Sequence, residues 1–240
     1  MGLIFAAMLS AVAGSPPASV PFHVGETLEY SGSYHLLFPI SIGHAATLSV
    51  AAIDTVRGRP CWKFSFVTDV SVPLFHNHSE LTSWTTTDGF VSLRFVHLVD
   101  ESHYSRHDDY RIYPDSGMWR NRRDNSTHDT PSAPLDDIAF IYYLRLPTTP
   151  LQLGRNYRLD RYYRADRNPV IINVVGREAC DLPDDARSTC RVLNPVVDDP
   201  PHGMFMAREN ARLWITDDGR RLPVRIKSGH VTLTLSKISG

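Results

Sequence analysis

Nine stretches of this 240-residue chain alternate apolar and polar residues with a period of two: 27–34, 46–53, 61–70, 92–99, 170–175, 190–197, 211–216, 222–227 and 231–238. They are rich in Val, Ile, Thr, Phe and Trp and are bounded by Gly, Pro, Asp or Asn. A period of two sends alternate side chains to opposite faces of a pleated strand, so these segments read as half-buried strands. Asp88-Gly89 and Asp218-Gly219 supply hairpin turns. One stretch breaks the rule. PLDDIAFIYYLRL at 134–146 offers Asp136 or Asp137 as a cap, apolar residues on both faces, and Pro147 as a stop. It predicts a helix over 136–146. A sheet of ten or more strands must curl or split. The expected fold is therefore all-β: one long curved antiparallel sheet, a β-roll or partly open barrel. The helix belongs on the concave face, because Ile138, Phe140, Ile141, Tyr142 and Leu144 cannot all face water.

A shared word sharpens that picture. Trp-x-Thr-x-Asp-Gly occurs at 84–89 and again at 214–219. Gly25 and Gly154 stand 129 residues apart, as do Cys61 and Cys190, and Trp84 and Trp214 stand 130 apart. Three landmarks in one order predict two sequence-related halves, 21–133 and 150–240, with the helix between them. Residues 21–240 then form a single β-rich domain.

The first thirteen residues differ in kind. The apolar run from Leu3 to Leu9 and the small-x-small Ala11-Val12-Ala13 read as a signal peptide over 1–13, with 14–20 as a flexible linker. The run is well short of a membrane span. No cysteine follows it to carry a lipid, so the mature chain is expected in the periplasm or outside the cell. Twenty-five basic and 26 acidic residues leave a formal net charge of -1, which gives no overall field for nucleic acid. The arginine clusters at 120–124 and 158–167 read as solvated faces.

Export makes the three cysteines informative. Cys180 and Cys190 flank a turn-rich segment, so a bridge across a hairpin is open to them. The other reading is two small buried hydrophobes, which is also the reading of Cys61. Histidine is the main lure toward chemistry. His76 and His78 share one strand face, and His103 and His107 lie nearby in sequence, enough to suggest a zinc-dependent hydrolase. Their spacing matches no compact metal motif. There is no Gly-x-Ser-x-Gly elbow, and Asp136-Asp137 and Asp217-Asp218 fit cap and turn roles.

Several stretches together resemble a family of bacterial exported proteins, filed as domain of unknown function 3108: FHVGETLEY (22–30), DDIAFIYYLR (136–145), LGRNY (153–157), VVGRE (174–178), CRVLNP (190–195) and, most specifically, ARLWITDDGRRLPVRIKS (211–228). The resemblance implies a signal peptide and one long, strongly curved antiparallel sheet. It brings no activity and no catalytic residues. The function expected is thus a non-enzymatic envelope protein without a cofactor. Its curved sheet would hold an apolar or glycan-like ligand, such as a lipid or glycan, or an envelope partner chain. Trp84, Trp214, Tyr142 and Tyr143 are the expected lining, with Arg145 and Arg225 as polar handles. Glu26, Arg145 and Arg225 are open to two readings, a carboxylate–guanidinium pair that ties helix to sheet or joins the sheet ends, and ordinary surface charge. The alternative function is the hydrolase built on His76, His78, His103 and His107.

Overall fold

The computed structural model describes residues 20–35, 39–72, 75–101, 104–184, 186–197 and 211–240. The segment expected to be a signal peptide and nearly all of the linker lie outside them, as does His103. Among these residues, fourteen strands follow one another in a single antiparallel meander. The first eight are β1 (Thr27–His35), β2 (Pro39–Val56), β3 (Arg59–Val72), β4 (Phe75–Thr86), β5 (Ser92–Glu101), β6 (Tyr104–Tyr113), β7 (Met118–Asn121) and β8 (Thr127–Asp129). After the helix α1 (Asp137–Arg145) come β9 (Asn156–Leu159), β10 (Val170–Asp181), β11 (Arg187–Val196), β12 (Arg212–Thr216), β13 (Pro223–Ser228) and β14 (Val231–Ser239). The spatial order is β8-β7-β6-β5-β4-β3-β2-β1-β14-β13-β12-β11-β10-β9. The first and last strands therefore meet in the middle, and the two halves of the chain are the two halves of the sheet.

Register shifts in β1, in β2, in β10 and at Trp84 and Trp214 bend the sheet, as bulges do by raising local twist. The curl nearly closes. No ladder joins β8 to β9, but the chain just beyond each meets the other through a parallel bridge of Leu135 to Tyr162. Tyr163 N donates to Leu135 O at 2.9 Å, and Thr130 Oγ1 donates to Tyr163 O at 2.7 Å.

The helix sits where its residues require. Asp136 caps it, accepting from Ile138 N and Ala139 N at 3.1 and 3.0 Å. Leu146 leaves helical conformation at ψ 136°, as a residue before proline is driven to do. Every helical side chain except that of Tyr143 is buried, and the buried apolar ones share one cluster with Leu28, Tyr30, Leu48, Phe64 and Phe95 from the inner sheet face.

The two Trp-x-Thr-x-Asp-Gly hairpins are built alike. Thr86 N donates to Val91 O at 2.9 Å, and Thr216 N to Leu222 O at 3.0 Å. The hydroxyls of Thr86 and Thr216 accept from Val91 N and Leu222 N at 3.1 and 2.8 Å. Phe90 and Arg221 take positive φ at matching places. The glycine landmarks also agree. Gly25 (φ 95°) donates to Val50 O and Gly154 (φ 75°) to Val174 O, both at 2.9 Å. Cys180 and Cys190 form a disulfide across the β10–β11 hairpin. They sit diagonally, because Cys190 lies opposite Glu178 and Cys180 opposite Ser188. Cys61 is a buried free thiol.

Candidate ligand site at the rim of the barrel

Along the strand axis the interior has two different ends. At one, α1 fills the concavity. Tyr142 stacks on Phe64 at 3.8 Å between centroids, and Phe22 packs edge-on against both and against Trp62. Arg145 is fully buried, and its guanidinium donates to both oxygens of Glu26 at 2.5 and 2.9 Å and to Pro21 O at 3.1 Å. A bidentate, desolvated pair of this kind fixes orientation as well as charge. It ties the helix to the entry of β1, as one of the sequence expectations has it. Burial pushes the Tyr30 and Tyr142 phenols well above their ordinary range, so both are neutral. Desolvation also raises the capping carboxyl of Asp136 to about 6, although Ala139 N, Ser83, Ser92 and Ile138 N all donate hydrogen bonds that favour its charged form.

At the other end the same strands leave space. A cavity of about 180 Å³ is lined by Gly32, Tyr34, Ile42, Ala45, Thr68, Val70, Asn77 and Leu233, and opens past Ile40 and Val231. Those last two are 42% and 36% exposed. Gly32 is essential to its shape. A Cβ there would stand 2.6 Å from that of Ala45, so a side chain would force β1 and β2 apart. The polar groups at the wall are few, with the Asn77 amide already donating to Glu101 at 2.8 Å. Such a surface favours an alkyl or aryl group over a charged one. For scale, an engineered apolar cavity of about 150 Å³ binds benzene or xenon. A second cavity of about 200 Å³ lies between the end of α1 and β9, lined by Tyr143, Thr149, Leu151, Tyr157, Leu159 and Ile172.

The residues expected to line the concavity are distributed differently. Trp84 and Trp214 lie on the outer face. Ser83, next to Trp84, donates inward to Asp136 at 2.7 Å, and Leu213 and Ile215 on either side of Trp214 are buried in the main core. Alternation then sends both indoles outward. Each is held by a carboxylate on its Nε1, Asp54 for Trp84 and Glu178 for Trp214. Each is covered by an arginine from the next strand, Arg94 at 4.6 Å and Arg225 at 5.2 Å. Arg225 is therefore a partner of Trp214, Arg145 a partner of Glu26, and Tyr142 part of the solid core. Only Tyr143 of the six borders a cavity described above.

His78 and His107 do not converge. His78 lies 3.8 Å from Asp69. The register puts His107 two strands and two rows away from it, and the His76 side chain lies outside the described ones, as His103 does altogether. Among the described residues no three His, Cys, Asp or Glu side chains gather as a metal site would require. No helix among them is long and apolar enough to cross a membrane.

Sequence reasoning misses the rim residues because they are ordinary strand residues. The one usable signal is Gly32 inside an alternating run, where a glycine marks a bulge or a close backbone approach.

Comparison with known proteins agrees with the architecture. The chain is similar in fold to a solved β-barrel-like protein of the domain of unknown function DUF1849 from Brucella abortus, with a TM-score of 0.56 and 13% identity, covering 90% of this chain and 97% of that one. No curated protein matches it. The model of a protein family of unknown function, DUF3108, matches residues 29–236. The chain belongs to the DUF3108 family.

Proposed function

We propose that this chain is a non-enzymatic, exported binding protein of the cell envelope that receives the apolar part of a small ligand in the rim cavity. The observation that carries the reading is the contrast inside one barrel. The helix end is packed solid, whereas the rim end keeps about 180 Å³ of apolar space that Gly32 and Ala45 hold open. Folding alone rewards filling such a space, since each void forfeits dispersion contacts. The leader-like residues 1–13 and the disulfide favour an oxidising compartment. The separation of His78 and His107 favours this reading over a metal-dependent hydrolase. We also infer that the two halves are copies of one ancestral unit. The support is the matched set of hydrogen bonds around Gly25 and Gly154, and around Thr86 and Thr216.

The test is mass spectrometry of organic extracts from protein produced with residues 1–13 intact and purified gently, alongside Ile42→Trp. The wild type is expected to release an apolar small molecule that Ile42→Trp, melting at the same temperature, does not carry. If neither protein releases one and neither shows saturable binding of an alkyl chain, the binding reading is wrong.

A further inference from the structure

A row of cations crosses the outer face of the first half. Lys63 on β3 lies directly opposite Trp84 on β4, Trp84 opposite Arg94 on β5, Arg94 opposite Arg111 on β6, and Arg111 opposite Arg120 on β7. Directly opposed residues share a face, with Cβ atoms about 4.5–5.5 Å apart, and like charges placed so repel. The row therefore costs stability, and its neutralisation is uneven. Arg94 has a two-point pair with Asp109 at 2.9 and 3.1 Å, and Arg122 approaches that same carboxylate at 3.5 Å. Asp54 is engaged by the Trp84 indole at 2.8 Å. Arg120 is exposed, and its partner among the described residues is the Asn125 amide oxygen at 2.8 Å.

Arg111, in the middle, has no carboxylate partner among the described residues, and its Nε is buried without a hydrogen-bond partner. A further cation closes the group. Arg57 reaches over the Tyr113 ring at 4.4 Å and donates to Leu93 O and Ile112 O. Arg111 is among the groups that depress its basicity, though burial is the larger cause.

The second half shows that the fold does not need this row. There Trp214 lies opposite Arg225, but Arg225 lies opposite Thr234, and Thr234 opposite Ser31. The tryptophan, its carboxylate and the covering arginine are common to both halves. The guanidinium of Arg111 stands where the other half has a threonine.

We propose that Arg111, flanked by Arg94 and Arg120, forms a phosphoryl-binding site on the outer face, separate from the rim cavity. A phosphate with two or three free oxygens can accept from adjacent planar guanidinium forks and supplies the negative charge the row lacks.

The test uses the whole chain at low ionic strength with two probes, inorganic pyrophosphate by calorimetry and phosphatidylglycerol vesicles by sedimentation, with phosphatidylcholine vesicles as the neutral reference. Saturable pyrophosphate binding supports a site open to free phosphates. Binding to phosphatidylglycerol vesicles alone supports a site for phosphoryl groups at a membrane surface. In either case Arg111→Thr is expected to weaken binding at least tenfold, Arg111→Lys to restore part of it, and Arg225→Thr to leave it within twofold. Arg111→Thr should melt no lower than the wild type, since it removes opposed like charges. Absence of saturable binding to both probes overturns the proposal. So does equal weakening by Arg111→Thr and Arg225→Thr, which would mean that general surface charge is responsible.

Discussion

The two ends of this barrel are made by the same strands and come out differently. On β3, Phe64 stacks on Tyr142 of the helix and Trp62 packs against Phe22 beside it, while Thr68 and Val70 face the rim cavity. On β1, Leu28 and Tyr30 are fully buried, while Gly32 and Tyr34 line the space. Large aromatics and one bidentate ion pair close the first end, and Gly32, Ala45 and β-branched side chains beside Tyr34 and Leu233 leave the second open. The difference teaches that the concave face is not one site. A helix that buries nearly all its residues turns half of the concavity into core, and only what the helix does not reach can bind.

The contrast is sharpest in the expected cost of mutation. Arg145→Ala would strand Glu26 as a buried, uncompensated charge, and a loss of about 3–5 kcal/mol is expected in denaturant unfolding. Replacing both partners, as in Glu26→Gln with Arg145→Met, should recover much of that loss. Equal damage from the double variant would mean that the pair is not what orients the helix.

A second prediction probes the helix cap by pH. Asp136 titrates near 6 in the folded protein because burial disfavours its charge, whereas the unfolded carboxyl titrates near its ordinary value of 3.8. Between those values the native state holds a proton that the unfolded chain has released. Stability from this group is thus present at low pH and falls as pH rises through that window, by about 3 kcal/mol in total. It is level above. Asp136→Asn keeps a capping side chain and should flatten the slope between pH 4 and 6 in thermal melts. A slope that survives the substitution belongs to another group.

The disulfide gives a smaller effect. Cys180→Ser with Cys190→Ser should cost about 2–3 kcal/mol, since the bridge closes a loop of about ten residues. The rim is expected to be the most tolerant region. Val231→Thr should shift stability by less than about 1 kcal/mol, because the residue is part-exposed and borders open space rather than core. A large loss there would break the contrast between the ends.

Much of the scaffold is legible in the amino-acid sequence. The nine alternating stretches fall on strands to within one residue, and the helix departs from 136–146 by one residue at each end, because its cap and Pro147 are local signals. The antiparallel sheet curled round one buried helix follows from those stretches. The strands outside the nine are short, as β7, β8 and β9 are, or carry runs of polar residues, as Tyr104–Tyr113 does with Arg106, His107, Asp108 and Asp109. Pairing with neighbours, not local pattern, makes them strands. The site is legible only in outline. Trp84 and Trp214 look like lining because indoles favour burial, but alternation with the inward-bonded Ser83 and the buried Leu213 and Ile215 sends them to the outer face. Glu26 and Arg145 are 119 positions apart, and the sequence suggests that pairing only in kind. The rim cavity arises from what Gly32, Ala45 and Leu233 fail to fill, a property of the packing rather than of any residue type.

Methyl NMR of protein labelled at alanine, isoleucine and leucine, titrated with a medium-chain alkyl glycoside, tests the difference between the ends most directly. Saturable shifts are predicted for Ile42, Ala45 and Leu233, with Ile138, Ala139 and Ile141 of the helix unmoved. Shifts centred on the helix methyls, or no saturable shift at the rim, would contradict it.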